Sequence, residues 1–374
     1  MRIALFCNDY WPVVGGVPTA TRGLANALVA RGHQVTVLTR QPGGAPSSEA
    51  ADAVQILRFA WNVRPWLTFP ARFVRAGGEV RRALAATAPD VVYCHFVSVH
   101  ALYALRVARH SAAPLILSFR GNDALGIARS SPAHRLAYGW LTRTAAVNLF
   151  CSEWLRTEAM RESWFRGRAG FVGVLADAVS VEHRAAPPTP NESYVLASGR
   201  FVRKKGFDLL LHAWARVAGK IPAALWIAGD GPERDALHRL ATGLGLGSRV
   251  RFLGAVPHEK LLGILERAVL CVVPSRSEPY GIVVVEAQAL GVPVVATSVG
   301  NLPVLIEPGR TGYLVDSDAD ALAECLAAVF SDGQRRSVAE AARRSRAANR
   351  SYGDMAAELE EWVALARSDM LGNG

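Results

Sequence analysis

This chain of 374 residues predicts an α/β fold: two doubly wound parallel sheets, Rossmann-like in layout, facing across a cleft. Three observations predict it. Short apolar runs alternate with amphipathic stretches through the first half. A polar segment rich in proline, RAAPPTPNES (Arg184–Ser193), interrupts that alternation. The same alternation then restarts. Strand–helix alternation builds parallel sheets covered on both faces, and this length exceeds one typical core. The expected division is residues 1–184 for the first domain, 185–193 for a linker and 194–350 for the second. Residues 351–374 form a terminal helix packing back on the first domain.

The expected strands of the first half are Ile3–Cys7, Gln34–Thr39, Val54–Phe59, Val91–His95, Leu115–Phe119, Ala146–Cys151 and Phe171–Leu175. Each is four to seven residues rich in β-branched and aromatic side chains, the length and composition of a buried strand. Val17–Ala30 and Val99–Arg109 place apolar residues three and four apart and read as helices. In the second half the strands are Tyr194–Ser198, Leu225–Ala228, Val250–Leu253, Val269–Pro274, Val292–Thr297 and Gly312–Val315, with helices at Phe207–Val217 and Glu233–Gly243. The tail from Gln334 is helical in character, with Met355, Leu359, Trp362, Val363 and Leu365 among charges.

Composition narrows the function classes. The chain is 51% hydrophobic and 20% charged, ordinary for a globular protein, and no apolar run reaches the length of a membrane span. The start, MRIALFCNDY, enters a strand-like run without the pattern of a signal peptide. Cys7, Cys94, Cys151, Cys271 and Cys325 are scattered, with no C-x-x-C pair. A reducing compartment, the cytoplasm, is expected, with neither a disulfide framework nor a zinc site. Residues 1–187 hold 21 basic and 11 acidic residues, whereas residues 188–374 hold 21 of each. The basic half reads either as an arginine-rich composition or as a surface that meets an anionic partner, such as the inner face of a membrane.

Four segments carry chemistry. WPVVGGV (Trp11–Val17) follows the first strand, and Gly15 and Gly16 let backbone approach a ligand at a helix start. A plain β–α turn explains it equally well. SGRFVRKKG (Ser198–Gly206) offers Arg200 and Lys205, a fork and a point charge suited to a phosphate pair, or else a solvated basic loop. AGDGP (Ala228–Pro232) reads as a tight turn, with Pro232 at a helix N1 position. The segment VLCVVPSRSEPYGIVVVEAQALGVPVVATS places Glu278 in a loop and Glu286 in the second turn of a helix starting near Tyr280–Gly281. The free amides of Gly281, Ile282 and Val283 would face a ligand phosphate. Glu286 follows an apolar run and is costly to bury without a donor. A sugar diol would serve, as would a structural arginine or exposure to solvent.

Together these segments resemble the retaining glycosyltransferases of family 4, of the GT-B fold, strongest from Tyr194 to Val315. The resemblance rests on SGRFVRKKGFDLLLHAW, WIAGDGPERDAL, VRFLGAV and the E-x7-E segment followed by A-x-x-x-G-x-P-V-V-A-T. It implies a first domain on the acceptor side and a second that binds a nucleotide-sugar. Arg200 and Lys205 would hold the donor diphosphate, Glu286 the ribose, and Glu278 hydroxyls of the donor sugar. Backbone amides of Gly281, Ile282 and Val283 would contact sugar and phosphate, with Tyr280 also among the donor-binding residues. Leu253 would lie by the base and Gly16 by the diphosphate. A UDP- or GDP-type donor and no metal or other cofactor are implied. His95, ending DVVYCH, matches a strand-end site position. SFRGND places Arg120 where the family has a histidine and keeps Asp123; Arg120 either binds an acidic group or is structural. VGNLP departs from the G-G of many members, with Gly300 and Asn301 still forming a turn.

The reaction implied is transfer of a sugar with its anomeric configuration kept, to a glycan, lipid-linked or small-molecule acceptor. RFAWNVRPWLTFPARFVR (Arg58–Arg75) suits an interfacial surface, a sugar-stacking groove or an ordinary loop. A nucleotide-sugar epimerase of similar architecture is the first alternative. A basic nucleic-acid-binding protein is the second, though no recognition motif for it is present.

Overall fold

The computed structural model describes residues 1–13, 15–42, 46–60, 78–80, 88–168, 171–181, 193–331, 335–345 and 349–372. The chain forms two compact units, Met1–Ala178 with Ser351–Gly374, and Val179–Arg350. The segment taken as linker lies, apart from Ser193, outside the described residues.

Unit 1 carries a sheet of strands β1 (Arg2–Cys7), β2 (Gln34–Arg40), β3 (Ser48–Ala51), β4 (Val54–Phe59), β5 (Val91–His95), β6 (Leu115–Phe119), β7 (Val147–Phe150) and β8 (Val172–Val174). Their order is β3-β4-β2-β1-β5-β6-β7-β8. All neighbours are parallel except β3, which runs antiparallel to β4 at the edge. Strands β5 and β6 are buried at every position, as a sheet covered on both faces requires. Helices α1 (Gly16–Ala30), α2 (His100–His110), α3 (Pro132–Thr144) and α4 (Glu153–Met160) connect them. Ser131 and Ser152 cap α3 and α4, their hydroxyls accepting from the His134 and Leu155 amides.

In unit 2 the strands are β9 (Tyr194–Ser198), β10 (Ala224–Ala228), β11 (Val250–Gly254), β12 (Leu270–Val273), β13 (Val294–Thr297) and β14 (Tyr313–Val315). They run parallel in the order β11-β10-β9-β12-β13-β14. The helices are α5 (Phe207–Val217), α6 (Arg234–Gly243), α7 (His258–Glu266), α8 (Ile282–Leu290), the short α9 (Leu302–Leu305), α10 (Ala319–Ser331) and α11 (Arg335–Arg343). Alternation along the strands divides the core in two. Val195, Ala197, Leu225 and Ile227 join one cluster with Phe207, Leu210 and Trp214 of α5. Tyr194, Leu196, Ala224 and Trp226 join the other with Val284 and Ala287 of α8. Neighbouring side chains point to opposite faces, so one strand feeds two cores.

The chain winds outward from β9 to β11 and then returns to β12 on the other side. The switch point of the sheet lies between β9 and β12, and the loops at their carboxyl ends flank it. In unit 1 the corresponding pair is β1 and β5.

The last helix, α12 (Tyr352–Gly372), belongs to unit 1. Met355, Ala356, Leu359, Val363 and Ala366 sink into that unit's core at three- and four-residue spacing. Glu360 accepts from Arg31 at 2.7 Å through each oxygen and meets His33 Nε2 at 2.7 Å. Glycine is needed beneath this helix. A Cβ on Gly173 would sit 2.0 Å from the Trp362 ring. Leu365, which reads as a buried position in the sequence, is 40% exposed. Among the described residues no helix is long and apolar enough to cross a membrane.

Candidate functional site

The two loops at the switch point of unit 2 are tied together by backbone. The Arg276 amide donates to the Lys204 carbonyl at 2.7 Å, and the Arg276 guanidinium forks onto Asp208 of α5 at 2.6 and 2.7 Å. Gly206, at φ 67°, allows this approach, because a Cβ there would stand 1.9 Å from the Pro274 carbonyl oxygen. The result brings Lys205 and Glu278 together, with Lys205 Nζ donating to Glu278 Oε2 at 2.5 Å. Ser275 Oγ donates to the same oxygen at 3.2 Å. Glu278 is 7% exposed, and neither donor engages its Oε1. Arg200 is exposed in the same loop, and its guanidinium meets no acceptor among the described residues.

Helix α8 begins as the sequence predicts. Gly281 takes φ 102° and the helix runs from Ile282. The Val284 and Val285 amides bond to the Gly281 carbonyl, and the amides of Gly281, Ile282 and Val283 have no acceptor among the described residues. Three free donors at the positive end of a helix favour an anion. The loop before it is braced by the VGNLP turn: the Asn301 amide donates to the Glu278 carbonyl at 2.9 Å, and Asn301 Nδ2 to the Tyr280 carbonyl at 3.0 Å. Gly300 at φ 60° lies where a Cβ would stand 2.2 Å from the Glu278 carbonyl oxygen. Tyr280 itself is buried.

Glu286 is 3% exposed in the second turn of α8. Its partner is neither an arginine nor solvent but His258, at the start of α7, with Nε2 2.6 Å from Glu286 Oε1. Burial works to lower the His258 pKa, and the bond and charge of Glu286 outweigh it, so the pKa is raised. Sequence reading missed His258. The signal was the buried carboxylate itself, which demanded a donor. Leu253 sits in β11, half-buried, a few residues before α7. AGDGP is a turn as expected: a Cβ on Gly229 would stand 1.9 Å from the Gly199 carbonyl oxygen, and the Phe201 amide donates to the Asp230 carbonyl. Helix α6 starts at Arg234, so Pro232 precedes the Glu233 cap instead of holding the first helical position.

In unit 1 Gly16 opens α1 after β1. His95 ends β5 fully buried, its Nδ1 3.1 Å from the Tyr93 hydroxyl and its Nε2 without a partner among the described residues. Burial and the nearby Arg120 charge hold its pKa well below the ordinary range. Asp123 accepts from the amides of Val97, Arg120, Gly121 and Ala124 at 2.7–3.1 Å and so organises the loop after β6. The Arg120 side chain, 2% exposed, turns inward. Nη1 donates to Asp177 Oδ1 and to the Leu175 carbonyl, both at 2.9 Å. Nη2 donates to Tyr93 Oη at 3.0 Å and Ser118 Oγ at 2.6 Å. Of the stretch Arg58–Arg75, residues 61–75 lie outside the described residues. Arg58 is buried and holds Glu49 at 2.7 Å.

Comparison with known proteins agrees with this architecture. The pattern described as "Glycosyl transferases group 1" matches residues 180–346, and "Glycosyltransferase Family 4" matches residues 14–168. The chain is 30% identical to a glycogen synthase of Mycobacterium tuberculosis, over 93% of this chain and 89% of that protein. It is 40% identical to a D-inositol 3-phosphate glycosyltransferase of Mycolicibacterium smegmatis over 38% of this chain and 35% of the other. The sucrose-phosphate synthase structure from Thermosynechococcus elongatus superposes with a TM-score of 0.82 at 23% identity, covering 98% of this chain and 99% of that one. Anabaena Alr3699/HepE in complex with UDP-glucose superposes with a TM-score of 0.77 at 21% identity, covering 97% and 99%. Two parallel-sheet units, the paired loops of unit 2 and these matches lead to one conclusion: the chain belongs to the family 4 glycosyltransferases of the GT-B fold.

Proposed function

We propose that this glycosyltransferase moves a sugar from a nucleoside diphosphate donor of UDP or GDP type to its acceptor, with anomeric configuration retained and without a metal ion. The observation that carries the reading is the convergence, on one end of unit 2, of Lys205 on Glu278 and three free amides at the start of α8. Departure of the nucleoside diphosphate develops negative charge on phosphate oxygens. Arg200, Lys205 and the amides of Gly281, Ile282 and Val283 are donors aimed at such a charge, and one preorganised donor is worth on the order of 100- to 1,000-fold in turnover. Glu278, held on Oε2 by Lys205 and Ser275, offers Oε1 to a sugar hydroxyl. Glu286 accepts from the ribose, Leu253 lies near the base, and Tyr280 shapes the loop. His95 closes β5, Asp123 organises the loop after β6 and Gly16 opens α1, all within unit 1. For Arg120 the internal network supports a structural strut.

A specific surface supports peripheral contact with an anionic bilayer, which suits a lipid-linked acceptor. On α3, Leu136 is 76% and Trp140 46% exposed, with the Arg109 guanidinium 5.1 Å over the Trp140 ring. Between Val97 and Ser152 the one acidic residue, Asp123, is buried, while Arg106, Arg109, Arg135 and Arg143 are exposed. Exposed apolar side chains together with exposed arginines complement an anionic headgroup layer.

A thermal-shift panel of UDP-, GDP-, ADP- and dTDP-sugars identifies the donor. Product formation then tests the site. Lys205→Ala and Glu286→Ala are each expected to lose most turnover while keeping the fold, and turnover is expected to survive EDTA. Full activity in either variant at saturating donor would sink the assignment, and an inverted product would sink retention.

A further inference from the structure

His258 is an ionisable side chain that belongs to none of the motifs read from the sequence, yet it is built against a buried carboxylate. It opens α7 immediately after Pro257, at φ −54°, which sets the entry of the chain into the helix. The contact joins two elements of unit 2, α7 and α8, with the side chains of His258 and Glu286 27% and 4% exposed. The residues around Glu286 in α8 are apolar apart from Gln288, whose amide donates to the Leu305 carbonyl on another side of the helix.

We propose that His258 is a positioning residue for the donor: by holding Oε1 of Glu286 it fixes the carboxylate so that its remaining lone pairs accept the hydroxyls of a ribose. The inference rests on reading Glu286 as the ribose-binding group. A carboxylate carries about four acceptor sites, so the bond to His258 leaves three for a diol. A carboxylate already fixed also spares the binding step the cost of immobilising a flexible side chain. Burial lowers the His258 pKa and the bond and charge of Glu286 raise it more, a net rise that fits a contact between the two side chains. Glu259, next to it on α7, acts in the same sense on His258. Cys271, beside Glu286 on β12, stays a neutral thiol because burial pushes its pKa up to about 12.

The test is the discrimination between ribose and 2′-deoxyribose. Calorimetric titration with UDP against 2′-deoxy-UDP, and with GDP against 2′-deoxy-GDP, is run on wild type, His258→Ala, His258→Gln, His258→Leu and Glu286→Ala. Hydrogen bonds to charged groups are worth about 1.5–3 kcal/mol, so wild type is expected to prefer the ribonucleotide by roughly 10- to 150-fold. Glu286→Ala is expected to abolish the preference. His258→Ala and His258→Leu should lose most of it, with KM for the donor raised and kcat at saturating donor kept. His258→Gln, whose amide can donate to Oε1, should recover much of it. If Glu286→Ala abolishes the preference while both apolar variants of His258 keep it within twofold, the inference about His258 fails and the ribose reading stands. A preference that survives in Glu286→Ala overturns both. Loss of kcat with KM unchanged would place His258 in the chemical step and overturn the positioning role. Should the apolar variants not fold, His258→Gln against wild type decides, because a Gln variant without any preference contradicts holding by a neutral donor.

Discussion

Replacing Arg120 by alanine separates a strut from a substrate-binding group. In the structure its guanidinium is 2% exposed and donates to Asp177, the Leu175 carbonyl, Tyr93 and Ser118. Removing it takes the Arg120 charge away from the Asp177 carboxylate, which is 5% exposed. Breaking one side of a buried pair costs about 3–5 kcal/mol, because the remaining charge keeps its desolvation penalty. Two hydroxyls and a carbonyl lose a charged donor as well, which places the expectation toward the upper end, about 4–5 kcal/mol. In a unit of this length each kcal/mol moves the melting midpoint by roughly 2–4 °C, so the midpoint should fall by about 8–20 °C. Thermal unfolding followed by circular dichroism measures it, with turnover assayed well below the midpoint. Asp177→Ala should cost a similar amount. The double change Arg120→Met with Asp177→Leu should cost less than the two single losses added, since both singles remove the same Arg120–Asp177 interaction. The expected pattern is a lower midpoint with turnover retained. An unchanged midpoint together with abolished turnover would refute the argument and return Arg120 to the substrate.

Three further outcomes follow from packing and charge. Gly206→Ala puts a Cβ at φ 67° and 1.9 Å from the Pro274 carbonyl oxygen; it should cost more than about 2 kcal/mol in urea unfolding and shrink the donor-induced thermal shift, whereas a wild-type unfolding curve would contradict the close approach. The bonds from Arg31, with His33, hold the Glu360 carboxyl at a pKa of about 2 against an ordinary 4.5; a depressed acid stabilises above its unfolded pKa, so the anchoring of α12 should weaken as pH falls from about 4.5 toward 2, and amide exchange in residues 352–372 that shows no such onset would refute it. Sedimentation with vesicles of phosphatidylcholine and phosphatidylglycerol should be seen at low salt, lost at high salt, and reduced severalfold by Leu136→Asp or Trp140→Asp; equal sedimentation of the variants would remove α3 as the contact.

Much of the architecture was legible because strands of parallel sheets are buried on both faces and so read as continuous apolar runs. Val91–His95, Leu115–Phe119 and Tyr194–Ser198 coincide with the observed strands at both ends. The edge strand Ser48–Ala51 was not read, since SEAA carries no β-branched side chain. The start of α8 was legible from Gly281, whose φ of 102° suits glycine and whose position frees three amides.

By itself, then, the sequence determined which segments alternate, where glycine lets two loops meet, and which side chains sit on them; these are local properties of period, propensity and backbone freedom. Only the tertiary structure decided partners. Lys205 and Glu278 lie 73 positions apart and meet because β9 and β12 are neighbours in the sheet. Glu286 found His258 and Arg120 found Asp177, because a buried charge demands a counterpart without specifying which segment of the chain supplies it.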